Sequence, residues 1–360
     1  MLTNTPNKFL ARATRLPVKI LLVRPDGIGA EILCLPVATA LRRHYPQARI
    51  LFLSSQNAAP VLEHHPDVHE ILTITGHEPF GELVRLFRNS INATIFLKPF
   101  RRLMAAAFVA QIPVRIATRT RWYSIFANRR IYQHRSDFAR HESEYNLELV
   151  AGLDVKPEPF VRPRLIVTTP EREWAEVRLA SLPKPRILIH PGGLSTRHRK
   201  MQHSWDLAQL LIRKGYAVIL TGSRAEQERW EQECGRERAL HTNMLDLMGQ
   251  LTVRELMAII ATSQVVVSGA TGPAHIAAAL DVPTVSIYEP RRNNTPIRWR
   301  PLGKGILLRP NVPTCEKCIY DDCPYWDCLD QITVEEVGMS VGEALERSLW
   351  YQSASHVINI

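Results

Sequence analysis

The segment Ser268-Gly-Ala-Thr-Gly-Pro-Ala-His275 has the residue types and spacing of an anion site. A buried strand stopping at Gly269 and a helix opening near Pro273, a residue favoured in the first helical turn, would aim unpaired N–H groups and a positive helix end at a phosphate. Thr271 adds a hydroxyl donor, and Gly272 removes the Cβ that would keep a phosphate away. His275 stands next in that turn, either as part of the site or as a structural helix histidine. A second glycine turn, His190-Pro-Gly-Gly193, precedes Ser195, Thr196 and Lys200. Close backbone amides, two hydroxyls and a mobile cation suit a diphosphate. An ordinary strand-to-helix turn with a basic tail is the alternative there.

A third turn, Pro25-Asp26-Gly27-Ile28-Gly29, also follows an apolar run and opens a helix. A dinucleotide fingerprint would place its third small residue at Ile32, which is too large for close helix–strand packing, and the acid expected about 20 residues on for a ribose is missing. Nicotinamide binding is therefore not expected, and a glycine-containing turn against a substrate fits better. Cys315, Cys318, Cys323 and Cys328 form a C-x2-C-x4-C-x4-C cluster. Four thiolates could hold a structural zinc or iron, although the spacings are not those of a standard zinc finger. Reduced packing cysteines or a redox-sensitive disulfide are the other readings. Cys34 and Cys234 read as packing residues on helices. His64, His65 and His69 match no ligand pattern.

Positioning such turns requires strands that end together, and the chain supplies them twice. Continuous apolar runs predict buried parallel strands at 18–24, 49–53, 93–97 and 114–117, with helices at 30–43 and 101–110. The second half repeats the plan, with strands at 186–190, 217–221, 265–268 and 284–288 and helices at 204–214, 225–234, 253–262 and 273–280. A proline-rich stretch at 156–163 separates the halves, and 334–349 reads as a last amphipathic helix. Short connections of this kind imply right-handed crossovers and doubly wound sheets. The expected domains are 1–165, 166–335 and a C-terminal helix and tail at 336–360, with a cleft facing the carboxyl ends of the strands.

Charge is distributed unevenly. Residues 1–165 hold 23 of the 45 Lys and Arg but only 13 of the 35 Asp and Glu, so the whole net charge of +10 lies in the first half. Between positions 98 and 140, ten basic residues, including Lys98, Arg101, Arg129 and Arg130, meet one acid, Asp137. Such a segment attracts a phosphorylated substrate, an anionic lipid surface or an anionic polymer, or else is a solvated basic face. No helix-turn-helix, zinc-finger or RNA-binding signature accompanies it, so nucleic acid is not an expected partner. With 45% hydrophobic and 22% charged residues, wholesale disorder is excluded. No apolar run is long enough to span a membrane, and residues 1–17 lack a secretory h-region. Six cysteines are too few for a disulfide scaffold. The expected location is cytoplasmic.

In this order, the Asp-x-Ile-Gly turn, His-Pro-Gly with a following Lys, Asp246-Leu-Met-Gly-Gln-Leu-Thr and Thr-Gly-Pro-x-His resemble glycosyltransferase family nine, the ADP-heptose:lipopolysaccharide heptosyltransferases. Arg298-Trp-Arg-Pro-Leu-Gly and the four cysteines before Leu329-Asp-Gln-Ile are similar to a branch of it. The resemblance runs from Lys19 to about Val337. It implies a GT-B architecture with an N-terminal acceptor domain and a C-terminal nucleotide-sugar domain. It also implies an inverting, metal-independent transfer from a nucleotide-diphosphate sugar, ADP-heptose foremost, to an anionic glycolipid acceptor at the cytoplasmic membrane face. By position, Ser195, Thr196 and Lys200 match phosphate contacts, and Thr271, Gly272, Pro273 and His275 match the helix start. Glu226 matches a ribose-contacting acid, and Leu251 a residue lining the adenine pocket.

Two positions depart from the family pattern. Ala30 stands where the family usually carries its catalytic Asp, and Ala270 where an Asp often precedes Thr-Gly-Pro. Asp26 and Glu31 are then the candidate bases. A protein heptosyltransferase of the autotransporter type, and a catalytically silent homologue that binds nucleotide sugar, are the alternative functions.

Overall fold

The apolar run after Val18 forms β1 (Lys19–Val23), whose last four residues are buried. The structure, a computed structural model, describes residues 18–157, 161–192, 200–235, 241–319, 322–325 and 327–357, with side chains to 347. The chain divides into two compact units, Met1–Arg164 and Leu165–Ile360.

In the first unit, β1 pairs in parallel with β2 (Arg49–Ser55), which pairs with β3 (Glu70–Ile74). The chain then returns to the other side of β1 as β4 (Ala93–Phe96), β5 (Val114–Thr118) and β6 (Arg129–Ile131), giving the order β3-β2-β1-β4-β5-β6. The reversal between β1 and β4 is a topological switch point, where adjacent loops part and leave a crevice at the carboxyl ends of the strands. Among the crossovers, the helix expected at 30–43 is two helices, α1 (Ile28–Ile32) and α2 (Leu35–His44). Pro36 lies in the first turn of α2 and has no N–H to bond the Ile32 carbonyl, so the ladder breaks there. Next come α3 (Phe80–Phe87), α4 (Arg101–Val109) and α5 (Glu142–Glu148). One face of the sheet and α3 and α4 share a core of Leu21, Val23, Leu51, Phe87, Phe96 and Met104.

The second unit repeats the topology. It opens with α6 (Thr169–Arg178), and its sheet contains β7 (Arg186–His190), β8 (Ala217–Leu220), β9 (Met244–Asp246), β10 (Val265–Gly269), β11 (Thr284–Ile287) and β12 (Gly305–Leu308). The order is β12-β11-β10-β7-β8-β9, all parallel, with the switch point between β7 and β10. Its helices include α7 (Met201–Arg213), α8 (Arg224–Cys234), α9 (Val253–Ala261), α10 (Gly272–Ala279) and α11 (Pro296–Trp299). The final helix, α12 (Val334–Val357), buries Val337, Val341 and Ala344 in the same core as α7 and β7. No described helix is long and apolar enough to cross a membrane.

Candidate active site

In the second unit the residues after β7 and β10 line one pocket, which encloses about 590 Å³ including the part open to solvent. His190, Pro191 and Gly192 come from the end of β7; Ser268, Gly269, Ala270 and Thr271 come from β10 and the turn into α10. Glu289 and Asn294 close the side beyond β11. Thr271 caps α10 in extended backbone, and Pro273 lies in the first turn, as the sequence predicts. Gly272 and Thr271 are half-buried, whereas Pro273 and His275 are buried in the helix and do not line the pocket. The pocket therefore sits at the switch point and presents a helix start to its interior, the chemistry of an anion subsite.

Glu226 borders it. The side chain completes a capping box on α8, its Oε2 accepting from the Ser223 backbone N–H at 2.7 Å while its own N–H donates to Ser223 Oγ at 3.3 Å. The same oxygen lies 3.6 Å from His190 Nε2. Burial holds His190 below the usual histidine range, and the Glu226 charge opposes that shift. A Cβ on Gly192 would stand 1.8 Å from Glu226 Oε1, so any larger residue there would displace this carboxylate. Leu251 lies in the loop between β9 and α9, half-buried and outside the pocket lining. Lys200 is the N-cap of α7 and pairs with Asp330 at 2.9 Å, a carboxylate that His203 also meets at 3.2 Å. Ser195 and Thr196 lie outside the described residues.

In the first unit, Asp26 follows β1 and Lys98 follows β4, one on each side of the switch point. Lys98 Nζ donates to Asp26 Oδ2 at 2.7 Å, and Arg24 Nε lies 3.5 Å from the same oxygen. Asp26 keeps part of its carboxylate exposed. Glu31 is placed quite differently, fully buried in α1. Its Oε1 accepts from the Ser55 and Asp26 backbone N–H groups at 3.0 and 3.3 Å, and its Oε2 accepts from Ser54 Oγ at 2.5 Å. Glu31 therefore positions the turn that carries Asp26, tying it to the end of β2.

That burial has a measurable consequence. It pushes the Glu31 carboxyl from its ordinary 4.5 up to about 7, against the downward pull of its hydrogen bonds. The folded state then keeps its proton to higher pH than the unfolded chain does. The stability this group supplies is full below about pH 4.5 and is lost as pH rises towards 7, on the order of 3 kcal/mol over that window. Glutamine keeps an acceptor for both backbone N–H groups and is neutral throughout. In urea unfolding at a series of pH values, Glu31→Gln is expected to lack this fall, and parallel curves for both proteins would remove the assignment.

The basic segment does not form one surface. Arg129 donates to the Gly152 carbonyl at 2.7 Å and pairs with Asp154 at 3.3 Å, with both side chains partly exposed. Arg115 is likewise spent on the Phe126 carbonyl, Arg135 on buried Glu142 and Arg140 on Glu144. Arg101, Arg119, Arg121 and Arg130 are exposed and have no side-chain hydrogen bond or ion pair among the described residues, and exposed Arg102 donates to the Glu78 carbonyl at 2.7 Å.

Cys315, Cys318, Cys323 and Cys328 line a second pocket of about 430 Å³, which shares Glu289 with the first. Burial pushes the Cys315 thiol up, and Cys318 and Cys323 add to the shift, so the thiols are neighbours. Among the described residues, however, no three His, Cys, Asp or Glu side chains converge on a point that could hold an ion.

Two doubly wound units, one with a pocket and a helix start at its switch point, are the frame of this chain. The chain belongs to glycosyltransferase family 9 (heptosyltransferase), whose family model matches residues 90–325. It is 27% identical to lipooligosaccharide heptosyltransferase 2 of Haemophilus ducreyi over 315 residues, covering 81% of this chain and 88% of the relative. It is 26% identical to lipopolysaccharide heptosyltransferase 2 of Salmonella typhimurium over 294 residues, 76% of this chain and 83% of that one. Among solved structures, E. coli ADP-heptose lps heptosyltransferase II superposes with a TM-score of 0.77 at 23% identity, covering 92% of this chain and 99% of the other. The expected two-domain GT-B fold class is thereby confirmed.

Proposed function

We propose that this chain transfers a heptose from ADP-heptose to a saccharide acceptor of the lipopolysaccharide core, with inversion at the anomeric carbon. The observation that carries the reading is the pocket at the β7–β10 switch point, into which Thr271 and the start of α10 face. As the anomeric bond breaks, negative charge accumulates on the departing diphosphate, and a preorganised helix start with the Thr271 hydroxyl stabilises it. Ser195, Thr196 and Lys200 are assigned to the same diphosphate, Lys200 by exchanging Asp330 for phosphate oxygens, and Glu226 and Leu251 to the nucleoside. In the first unit, Asp26 takes the proton of the attacking acceptor hydroxyl, and Lys98, Arg101 and Arg130 favour an acceptor bearing acidic sugars and phosphates at the cytoplasmic membrane surface.

The names of the relatives support this donor and acceptor: the matched E. coli structure is called an ADP-heptose lps heptosyltransferase, and another similar structure is E. coli heptosyltransferase WaaC with ADP. A direct test is to incubate the protein with ADP-heptose and heptose-deficient lipopolysaccharide. ADP release with a heptose-extended acceptor by mass spectrometry is the expected result. If calorimetry finds no binding of ADP or ADP-heptose and no transfer occurs, the reading fails. Labelling of proteins in a lysate with the lipopolysaccharide left unmodified would replace the acceptor.

A further inference from the structure

Glu289 stands two residues beyond β11, 3% exposed, on the wall that the two pockets of the second unit share. One of its oxygens is fully engaged. Arg291 donates to Oε1 through Nε at 2.8 Å and through Nη2, and Asn294 Nδ2 donates to it at 2.8 Å. The other oxygen, Oε2, is equally buried and has no hydrogen-bond partner among the described residues. An orphaned carboxylate oxygen in a native fold calls for an explanation, because leaving a buried acceptor unsatisfied is costly. An ionised carboxylate can only accept, so its complement is a hydroxyl or an N–H.

The strand order indicates which part of a ligand supplies that donor. Along the carboxyl edge of the sheet the strands run β9, β8, β7, β10, β11 and β12. Glu226 follows β8, the helix start follows β10 and Glu289 follows β11. With about 4.8 Å between neighbouring strands, β8 and β11 lie about 14 Å apart. A nucleotide sugar laid with its diphosphate on α10 and its nucleoside towards β8 carries its sugar over the end of β11.

We infer that Glu289 Oε2 accepts a hydrogen bond from a hydroxyl of the transferred sugar, which makes Glu289 a specificity-determining residue for the donor. This rests on reading the second unit as the donor site. Arg291 and Asn294, by holding Oε1, fix the carboxylate with Oε2 turned away from them. A pocket built around a carbohydrate hydroxyl rejects analogues that lack it, because the carboxylate oxygen is then left unpaired.

The test compares ADP with ADP-heptose by titration calorimetry on the whole protein and on Glu289→Gln. Glutamine keeps Oε1 for Arg291 and Asn294 but replaces Oε2 with a donor. ADP affinity is expected to stay within twofold, while ADP-heptose weakens at least tenfold and its KM in the transfer assay rises in parallel. Equal loss for both ligands would make Glu289 a structural brace, and no loss for either would remove the contact; both outcomes overturn the inference. Wild-type protein that binds neither ligand refutes the donor reading, and the inference falls with it. Should the glutamine variant fail to fold, Glu289→Asp, which retains the charge for Arg291 but withdraws the carboxylate, is expected to give the same split between ADP and ADP-heptose.

Discussion

Asp26→Asn is expected to slow sugar transfer by about 10²–10⁴-fold, on the order of 3–5 kcal/mol, while leaving ADP-heptose affinity unchanged. An acceptor hydroxyl is a poor nucleophile until a positioned base takes its proton, and a carboxamide cannot do so. Ala30 has no group for the task. Glu31 is buried, with both oxygens accepting hydrogen bonds from the turn and from the end of β2. Asp26 has the open carboxylate, at the first unit's switch point, steered by Lys98 at 2.7 Å. The Lys98–Asp26 pair is partly exposed and contributes only about 0–1 kcal/mol, but Arg24, 2% exposed, faces the same oxygen at 3.5 Å, so folding of the variant is measured beside its rate. A large loss of rate with intact folding and donor binding therefore names Asp26. If Asp26→Asn transfers at the wild-type rate, the base lies elsewhere. Inert wild type with activity in Ala30→Asp would make this chain a silent homologue that binds nucleotide sugar.

How much of this was readable from the sequence depended on burial. The four central strands of each sheet, β2, β1, β4 and β5 and then β11, β10, β7 and β8, are the ones expected from continuous apolar runs, and their residues are nearly all buried. The strands not expected, β3, β6, β9 and β12, are all at sheet edges. They are three to five residues long and mostly half-exposed, and their apolar runs reach three residues at most, as in Ile306-Leu307-Leu308, too short to mark a buried strand. The Thr271–Pro273 turn was legible because its chemistry is local: a glycine, a proline and a hydroxyl within three residues. Glu289 was not, since its role comes from Arg291, Asn294 and a burial that only the packed loop creates. Counting charges between 98 and 140 likewise could not separate Arg129, tied to Gly152, from exposed Arg130.

The same distinction between charge and burial can be measured on a single helix. Glu142 and Glu144 both lie in the first turn of α5, and each pairs with arginine. Glu142 is 1% exposed and accepts from Arg24 Nη1 at 2.8 Å and Arg135 Nη1 at 3.0 Å, with Arg24 itself 2% exposed. Glu144 meets Arg140 at 3.1 Å, with both side chains more than two-fifths exposed. Glu142→Gln leaves two arginines around a neutral amide inside the unit. Removing one partner of a buried pair costs about 3–5 kcal/mol, because the remaining charge has no water to turn to. Glu144→Gln removes a solvated pair and is expected to cost less than about 1 kcal/mol. Native-state hydrogen exchange at the β1 and β4 amides reads the first unit directly. Glu142→Gln should lower their protection by the larger amount, and Glu144→Gln should leave it nearly untouched. Because Arg24 also stands 3.5 Å from Asp26, the first variant should slow transfer as well, and Arg24→Met with Glu142→Leu should recover part of the stability without the rate. Equal effects from the two glutamate variants would show that water or Asp26 compensates Arg24 once Glu142 is neutral, and that the Arg24–Glu142 pair does not set the position of Asp26.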